Sequence, residues 1–286
     1  MPLDPEILLN WPFPDVEQSY TAQQSILYAL GIGFGSDPCD RAELPFVYEQ
    51  LEMKTAPMMA VVLGYPGFWM QDPASTVTWQ SVLHGEQWLE LFAPLPSAGT
   101  VIGRNRVVEV SDRGGRAGGL VIVERDVIDK ATDHLLARAT MSIVCRVDGG
   151  FGGARGRRRP LGEIPDRAPD RSVTFATLPQ QALIYRLSGD DNPLHADPDM
   201  AATVGFDRPI LHGLSTYGFA GRAILQLYCG YDPARLKGLD VRFTAPVFPG
   251  EHLRIDCWEG AEDISFRATA VERDRIVLNK GRARVA

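Results

Sequence analysis

Two stretches of this 286-residue chain resemble one another more closely, and in a more consistent order, than chance matches of that length do. Gln23-Gln-Ser-Ile-Leu-Tyr-Ala-Leu-Gly-Ile-Gly33 aligns without a gap on Gln180-Gln-Ala-Leu-Ile-Tyr-Arg-Leu-Ser-Gly-Asp190, sharing Gln, Gln, Tyr and Leu and keeping the apolar positions. Further along, Ala93-Pro94 is answered by Ala245-Pro246, each inside a strand-like run that ends at a Pro/Gly corner. Two matches in the same order read as a duplicated domain. The fold must therefore be one that a single short unit can build twice.

Each unit opens with an apolar-periodic helix and continues in strands. In the first, alternation and β-prone residues mark 77–79, 88–92, 100–110, 120–126 and 135–147, with Gly114-Gly115 as a hairpin turn. In the second they mark 238–247, 252–258, 264–272 and 276–285. A helix followed by an antiparallel set of strands in each copy predicts an α+β fold. The first unit covers 1–147 and begins with a Pro-rich, aromatic arm that carries Trp11 and Phe13; a Gly- and Arg-rich linker covers 148–170; the second unit covers 171–286.

The second unit carries the chemistry. Leu183, Ile184 and Leu187 have helical spacing and end at Ser188-Gly189, where glycine can take the positive φ of a helix exit. Pro193 disfavours helical geometry at Asn192, so Asp190, Asn192 and His195 share a constrained turn. Asp197-Pro198 reads as an N-cap and first helical residue, and His212-Gly213 opens a long buried helix through Tyr217, Ile224 and Tyr228. A carboxylate and an imidazole on one turn can hold a water, one accepting its proton and the other donating or orienting. The Gly213 amide, aided by the helix dipole, can stabilise a developing oxyanion. Asp, Asn and His singly also serve as caps and turn residues, so it is their conjunction that points to proton chemistry beside a carbonyl. In the first unit the aligned positions are Gly33, Gly35 and Pro38, which cannot perform it.

The run YRLSGD-x-NPLH-x-DP, followed by GFD-x-PILHGL, closely resembles the hydratase 2 family, the (R)-specific enoyl-CoA hydratases of the MaoC-like group, which includes the hydratase part of peroxisomal multifunctional enzymes. YALGIG, LHGEQ-x-LEL-x-x-PLP-x-AG and GGFGG in the first half are similar too, so the resemblance spans nearly the whole chain. It implies a double hotdog, each sheet wrapping a helix. It also implies Asp190 and His195 as the catalytic pair, Asn192 as their assistant and Gly213 as the oxyanion-hole amide, with none of them substituted. The implied reaction is reversible syn hydration of trans-2-enoyl-CoA to (R)-3-hydroxyacyl-CoA, in fatty-acid or steroid side-chain β-oxidation. No metal or redox cofactor is expected, coenzyme A being part of the substrate, and a homodimer is implied.

Where the second unit has its long helix, the first has Pro57-Met58-Met59 and then Gly64-Tyr-Pro-Gly-Phe68-Trp69, which interrupt any long helix. The vacated space can hold an acyl chain lined by Met58, Met59, Phe68 and Trp69, or these residues simply fill the core. His84 leads into a strand and reads as structural. Arg155, Arg157, Arg158 and Arg159 are the obvious local attraction for the phosphates of coenzyme A. The net charge of −7 argues against nucleic acid or anionic membrane as a general partner. No run approaches transmembrane length, the N-terminus lacks signal-peptide regions, the C-terminal tripeptide is not of the SKL type, and the four cysteines lack disulfide or metal spacing. The expected compartment is the cytoplasm. The histidines show no metal-ligand pairing. A hotdog acyl-CoA thioesterase and a non-catalytic acyl-CoA-binding scaffold stay as alternatives; the GD-x-NP-x-H turn speaks against the first, and the intact Asp190 and His195 against the second.

Overall fold

The computed structural model describes residues 3–153, 156 and 159–286. The first unit contains helix α1 (Pro5–Leu9), strand β1 (Val16–Tyr20), helices α2 (Ala22–Gly31) and α3 (Leu44–Val47), and strands β2 (Val82–Leu91), β3 (Gly99–Asp112), β4 (Gly119–Asp129) and β5 (Leu135–Cys145). The second contains β6 (Arg171–Ala176), α4 (Gln181–Tyr185), α5 (Pro198–Thr203), α6 (Gly213–Ile224), β7 (Leu236–Phe243), β8 (His252–Glu259), β9 (Ile264–Ala270) and β10 (Arg275–Val285). These strands form one ten-stranded antiparallel sheet, ordered β1-β3-β4-β5-β2-β7-β10-β9-β8-β6. Followed outward from the β2–β7 junction, the two halves have the same order, so the repeat in the sequence is also a repeat of topology. The junction runs in register from Glu86↔Arg242 to Glu90↔Gly238. Among the described residues no helix is long and apolar enough to cross a membrane.

The repeated helices meet at the centre. Helix α2 starts at a capping box, in which the Thr21 hydroxyl accepts from the Gln24 amide and the Gln24 side chain accepts from the Thr21 amide. Gln181 on α4 donates from Nε2 to the carbonyls of Leu30 (3.0 Å) and Gly31 (2.9 Å), satisfying groups that the end of α2 leaves open. Tyr28 and Tyr185, which occupy aligned positions, bring their buried rings to 5.9 Å. Helix α6 is buried from Ser215 to Ile224, and its polar residues have partners there: the Ser215 hydroxyl donates to the Gly31 carbonyl at 2.9 Å, and Arg222 pairs with Glu43.

The first unit has no counterpart of α6. A short 3-10 turn, Pro57–Val61, packs against α6, and Gly64 at φ +65° followed by Pro66 keeps it from extending. The approach is close enough that a Cβ on Gly221 would lie 2.4 Å from Met58 Sδ. Beyond it, Glu43 is clamped by Arg222 of α6, with Nε to Oε1 at 2.6 Å and both side chains at most 5% exposed. Trp11 and Phe13 of the N-terminal arm pack on Trp69 at 5.1 and 5.0 Å. The later part of the linker, residues 159–170, crosses the outer face of the sheet, where the indoles of Trp88 and Trp258 donate to the carbonyls of Pro160 and Arg167.

Three expectations need correction. Residues 77–79 are not a strand: 3-10 turns at Pro73–Ser75 and Trp79–Ser81 bracket them, the first started by a proline. The edge strands β1 and β6 went unmarked, because VEQSY and RSVTFA are short and largely polar. Leu183 on α4 and Leu187 in the 3-10 turn after it are 52% and 61% exposed, and the buried face of α4 is Gln181, Ala182 and Tyr185.

Candidate active site

Helix α4 continues as a 3-10 turn, Arg186–Ser188, and leaves through Gly189 at φ +111°, a conformation that suits glycine. The chain thereby reaches Asp190. Asn192 caps the next 3-10 turn, Pro193–His195, its Oδ1 accepting from the Leu194 amide at 3.1 Å. The Asn192 amide in turn donates to Asp190 Oδ1 at 3.3 Å. Asn192 thus spends its oxygen on the turn and keeps its side-chain NH2 free on an exposed position.

His195 is 9% exposed, and its Nδ1 donates to the Ile210 carbonyl at 2.8 Å. A carbonyl only accepts, so that bond fixes the tautomer and leaves the Nε2 lone pair available. Burial lowers the His195 pKa, opposed by the charge of Asp190 and the bond to Ile210. His212, fully buried, donates from Nε2 to the Asp190 carbonyl at 3.1 Å and stacks on His195 with ring centroids 3.7 Å apart. Burial, helped by His195, pushes His212 down to about 3, so it is neutral at neutral pH. No side chain caps α6, and the Gly213 amide stands at its open N-terminus. Phe243 flanks that amide, 3.2 Å from where a Cβ of Gly213 would be.

Asp190, His195 and His212 each offer one potential ligand atom, all within 4.8 Å of one another. The two imidazole planes are only 28° apart and stacked. Lone pairs lie in the ring planes, so face-to-face rings cannot both aim at one ion about 2 Å away. The grouping suits a proton and a water better than a metal.

Both halves of the chain match known families. The MFE-2 hydratase 2 N-terminal domain matches residues 18–147, and the MaoC like domain matches residues 160–280. Enoyl-CoA hydratase ChsH3 of Mycobacterium tuberculosis is 37% identical, over 98% of this chain and 98% of that protein. The chain belongs to the MaoC-like hydratase 2 family. Peroxisomal multifunctional enzyme type 2 of the mouse is 38% identical over 93% of this chain, which spans 36% of that longer protein. Among solved structures, a MaoC-like dehydratase from Phytophthora capsici superposes with a TM-score of 0.87 at 34% identity, covering 98% of both chains. A Mycobacterium tuberculosis protein described as a double hotdog, TM-score 0.57 at 17% identity, agrees in fold alone. This hydratase 2 chain is a double hotdog.

The remaining expected residues of this hydratase 2 chain divide. Phe68 and Trp69 border a cleft on the inner face of the first unit's strands, together with Tyr65, Met70, Asn105 and Arg125. Met58 and Met59 do not line it; at 0% and 4% exposure they fill the core, Met58 against α6. Arg155, Arg157 and Arg158 lie outside the described residues. Arg159 is not brought to the site. It sits on the sheet's outer face, over the Trp88 ring at 5.8 Å and 3.8 Å from Glu124 Oε2. His84 packs its ring 4.7 Å from Phe243, the residue flanking Gly213, which fits its structural reading. Three residues at or near these places carry little signal in the sequence: His212, Arg125 and Tyr65. His212 was noted only for the glycine after it. Arg125 alternates with Val121, Val123 and Val127, a spacing that assigns it to an inward face. Nothing in the local pattern singles out Tyr65.

Proposed function

We propose that this chain catalyses the reversible syn addition of water to trans-2-enoyl-CoA, giving (R)-3-hydroxyacyl-CoA in acyl-chain β-oxidation. The observation that carries the reading is the His195 Nδ1 bond to Ile210, which presents an uncharged Nε2 beside Asp190 at the open end of α6. Water held by Asp190 and His195 bonds through its oxygen to C3. One of its protons passes through the pair to C2, and the other stays on the new hydroxyl. The Asn192 NH2 orients the water, and the Gly213 amide receives the enolate-like thioester oxygen. The relatives' names, hydratase and 3-hydroxyacyl-thioester dehydratase, agree with this direction-neutral chemistry.

The partner is an acyl-CoA thioester, and the steps above use neither metal nor redox cofactor. Cytoplasmic placement is supported by four free cysteines, three of them buried. The homodimer rests on the family resemblance and is checked by light scattering.

The test is turnover of crotonyl-CoA and trans-2-decenoyl-CoA with chiral analysis of the product. Asp190→Asn and His195→Gln should each lower kcat by about a hundredfold or more while remaining folded. Release of free CoA without hydration would identify a thioesterase. Tight binding with neither reaction would identify a scaffold.

A further inference from the structure

The cleft bordered by Phe68 and Trp69 lies against β3, β4 and β5, and its floor is not apolar. Arg125 on β4 is 3% exposed. Its Nη2 donates to the Val61 carbonyl, its guanidinium lies 5.4 Å from the centre of the Tyr65 ring, and its Nε has no partner. Among the described residues no carboxylate pairs with it. Burial pulls the guanidinium down to about 10, which still leaves it charged at neutral pH. Directly across the ladder is Asn105, whose Nδ2 donates to the carbonyls of Gly64 and Gly103 and whose Oδ1 is buried without a partner.

An orphaned donor and an orphaned acceptor therefore stand side by side, walled by Phe68, Trp69, Val123 and Met141. The cavity volume is about 30 Å³, room for about two water-sized groups. Burying a guanidinium without a counter-charge is unfavourable, and a hydrocarbon terminus pressed against it would leave that unrelieved. Tyr65, at the other wall, is raised to about 12 chiefly by burial, with Arg125 opposing and the Asp190 charge adding to the rise. The Tyr65 ring, 5.4 Å from the guanidinium, closes this side of the cleft.

We infer that Arg125 and Asn105 form a polar subsite at the floor of the acyl cleft, selecting enoyl-CoA chains that carry an oxygen function, carboxylate or hydroxyl, at their distal end. The inference rests on the proposed reaction for the identity of the thioester, and on the cleft for everything else. Arg125 donates to the distal oxygen, and Asn105 Oδ1 accepts from it when it is a hydroxyl. Sites built to pair a substrate oxygen reject the hydrocarbon analogue strongly, because their own groups are left unpaired.

The experiment compares trans-2-hexenoyl-CoA with its 6-hydroxy and 6-carboxylate counterparts as substrates. In parallel, hexanoyl-CoA, 6-hydroxyhexanoyl-CoA and adipoyl-CoA are titrated calorimetrically, which requires no turnover. Wild type should favour an oxygenated chain by at least about tenfold in kcat/KM and in affinity. Arg125→Met should bring the ratio of oxygenated to plain chains close to one in both kcat/KM and affinity, with Arg125→Lys intermediate. Asn105→Leu should weaken the hydroxyl chain and spare the carboxylate. Equal handling of all three chains by wild type overturns the subsite, as does a uniform loss in a folded Arg125→Met. Preferential, Arg125-dependent binding of adipoyl-CoA without any hydration upholds the subsite and overturns the proposed reaction instead.

Discussion

Removing Glu43 should destabilise this protein more than any loss of packing at the same place. Its carboxylate accepts from Arg222 Nε at 2.6 Å and Nη2 at 2.9 Å, from the Tyr231 hydroxyl at 3.1 Å and from the Gly35 amide at 2.9 Å. The guanidinium lies 4.1 Å from the centre of the Phe175 ring, and the two charged side chains are 5% and 2% exposed. In Glu43→Ala the arginine keeps its charge and its apolar surroundings but loses its counter-charge. Breaking a buried pair in this way costs about 3–5 kcal/mol. At roughly 2–4 °C per kcal/mol for a chain of this size, Tm should fall by about 6–20 °C. Thermal and urea unfolding followed by circular dichroism measure this. Arg222 stands at the opposite end of α6 from Gly213, so hydration per folded molecule should persist well below the new midpoint. Glu43→Leu combined with Arg222→Met removes both charges and should recover most of the loss. A cost below about 1 kcal/mol for the single change, or a double variant as unstable as the single one, would refute the reasoning that an uncompensated charge is responsible.

Acid should weaken the fold through His212. Its folded value of about 3 lies below the free histidine value of about 6.5, so between these pH values the unfolded chain binds a proton that the folded chain does not. The contribution is complete above about 6.5 and is lost as pH falls toward 3. The urea midpoint between pH 7 and 4 should therefore fall more steeply in wild type than in His212→Asn, and equal slopes would contradict the assignment. The shift at His195 has the same sign, so the acid limb of kcat/KM should lie below the ordinary histidine range. Gly221→Ala puts a methyl against Met58 and should cost about 1–3 kcal/mol by overpacking. Met58→Ala in the same chain should restore part of that, and strictly additive losses in denaturant unfolding would show that the two do not touch.

The duplicated helices and the turn around Asp190 were legible because both are written in consecutive residues. Gly189, Asn192, Pro193 and His195 each impose a local backbone constraint, and the structure shows the turn those constraints describe. The inner strands were legible by alternation. Strands β1 and β6 were not: each pairs on one side only, so fewer of their residues need be apolar. The orientation of α4 was misread because Tyr185 and Gln181 are buried by contacts with α2, which local hydrophobicity does not express. Met58 was one of several residues able to line a pocket or fill a core, and only the proximity of α6 decides between them. The partnership of His212 with His195 depends on how two separate turns stack, and no spacing within either turn encodes it.

The junction between β2 and β7 has one further consequence. The pairing from Glu86 to Glu90 joins strands of a single chain, so the effective concentration of one half at the other is set by the connecting segment and not by how much protein is present. Dilution cannot separate them. Mutations that spoil self-complementarity at this edge no longer threaten assembly, because each half always faces the same, different partner. Under that tether the two copies can differ, and only one of them needs Asp190, Asn192 and His195 where the other has Gly33, Gly35 and Pro38.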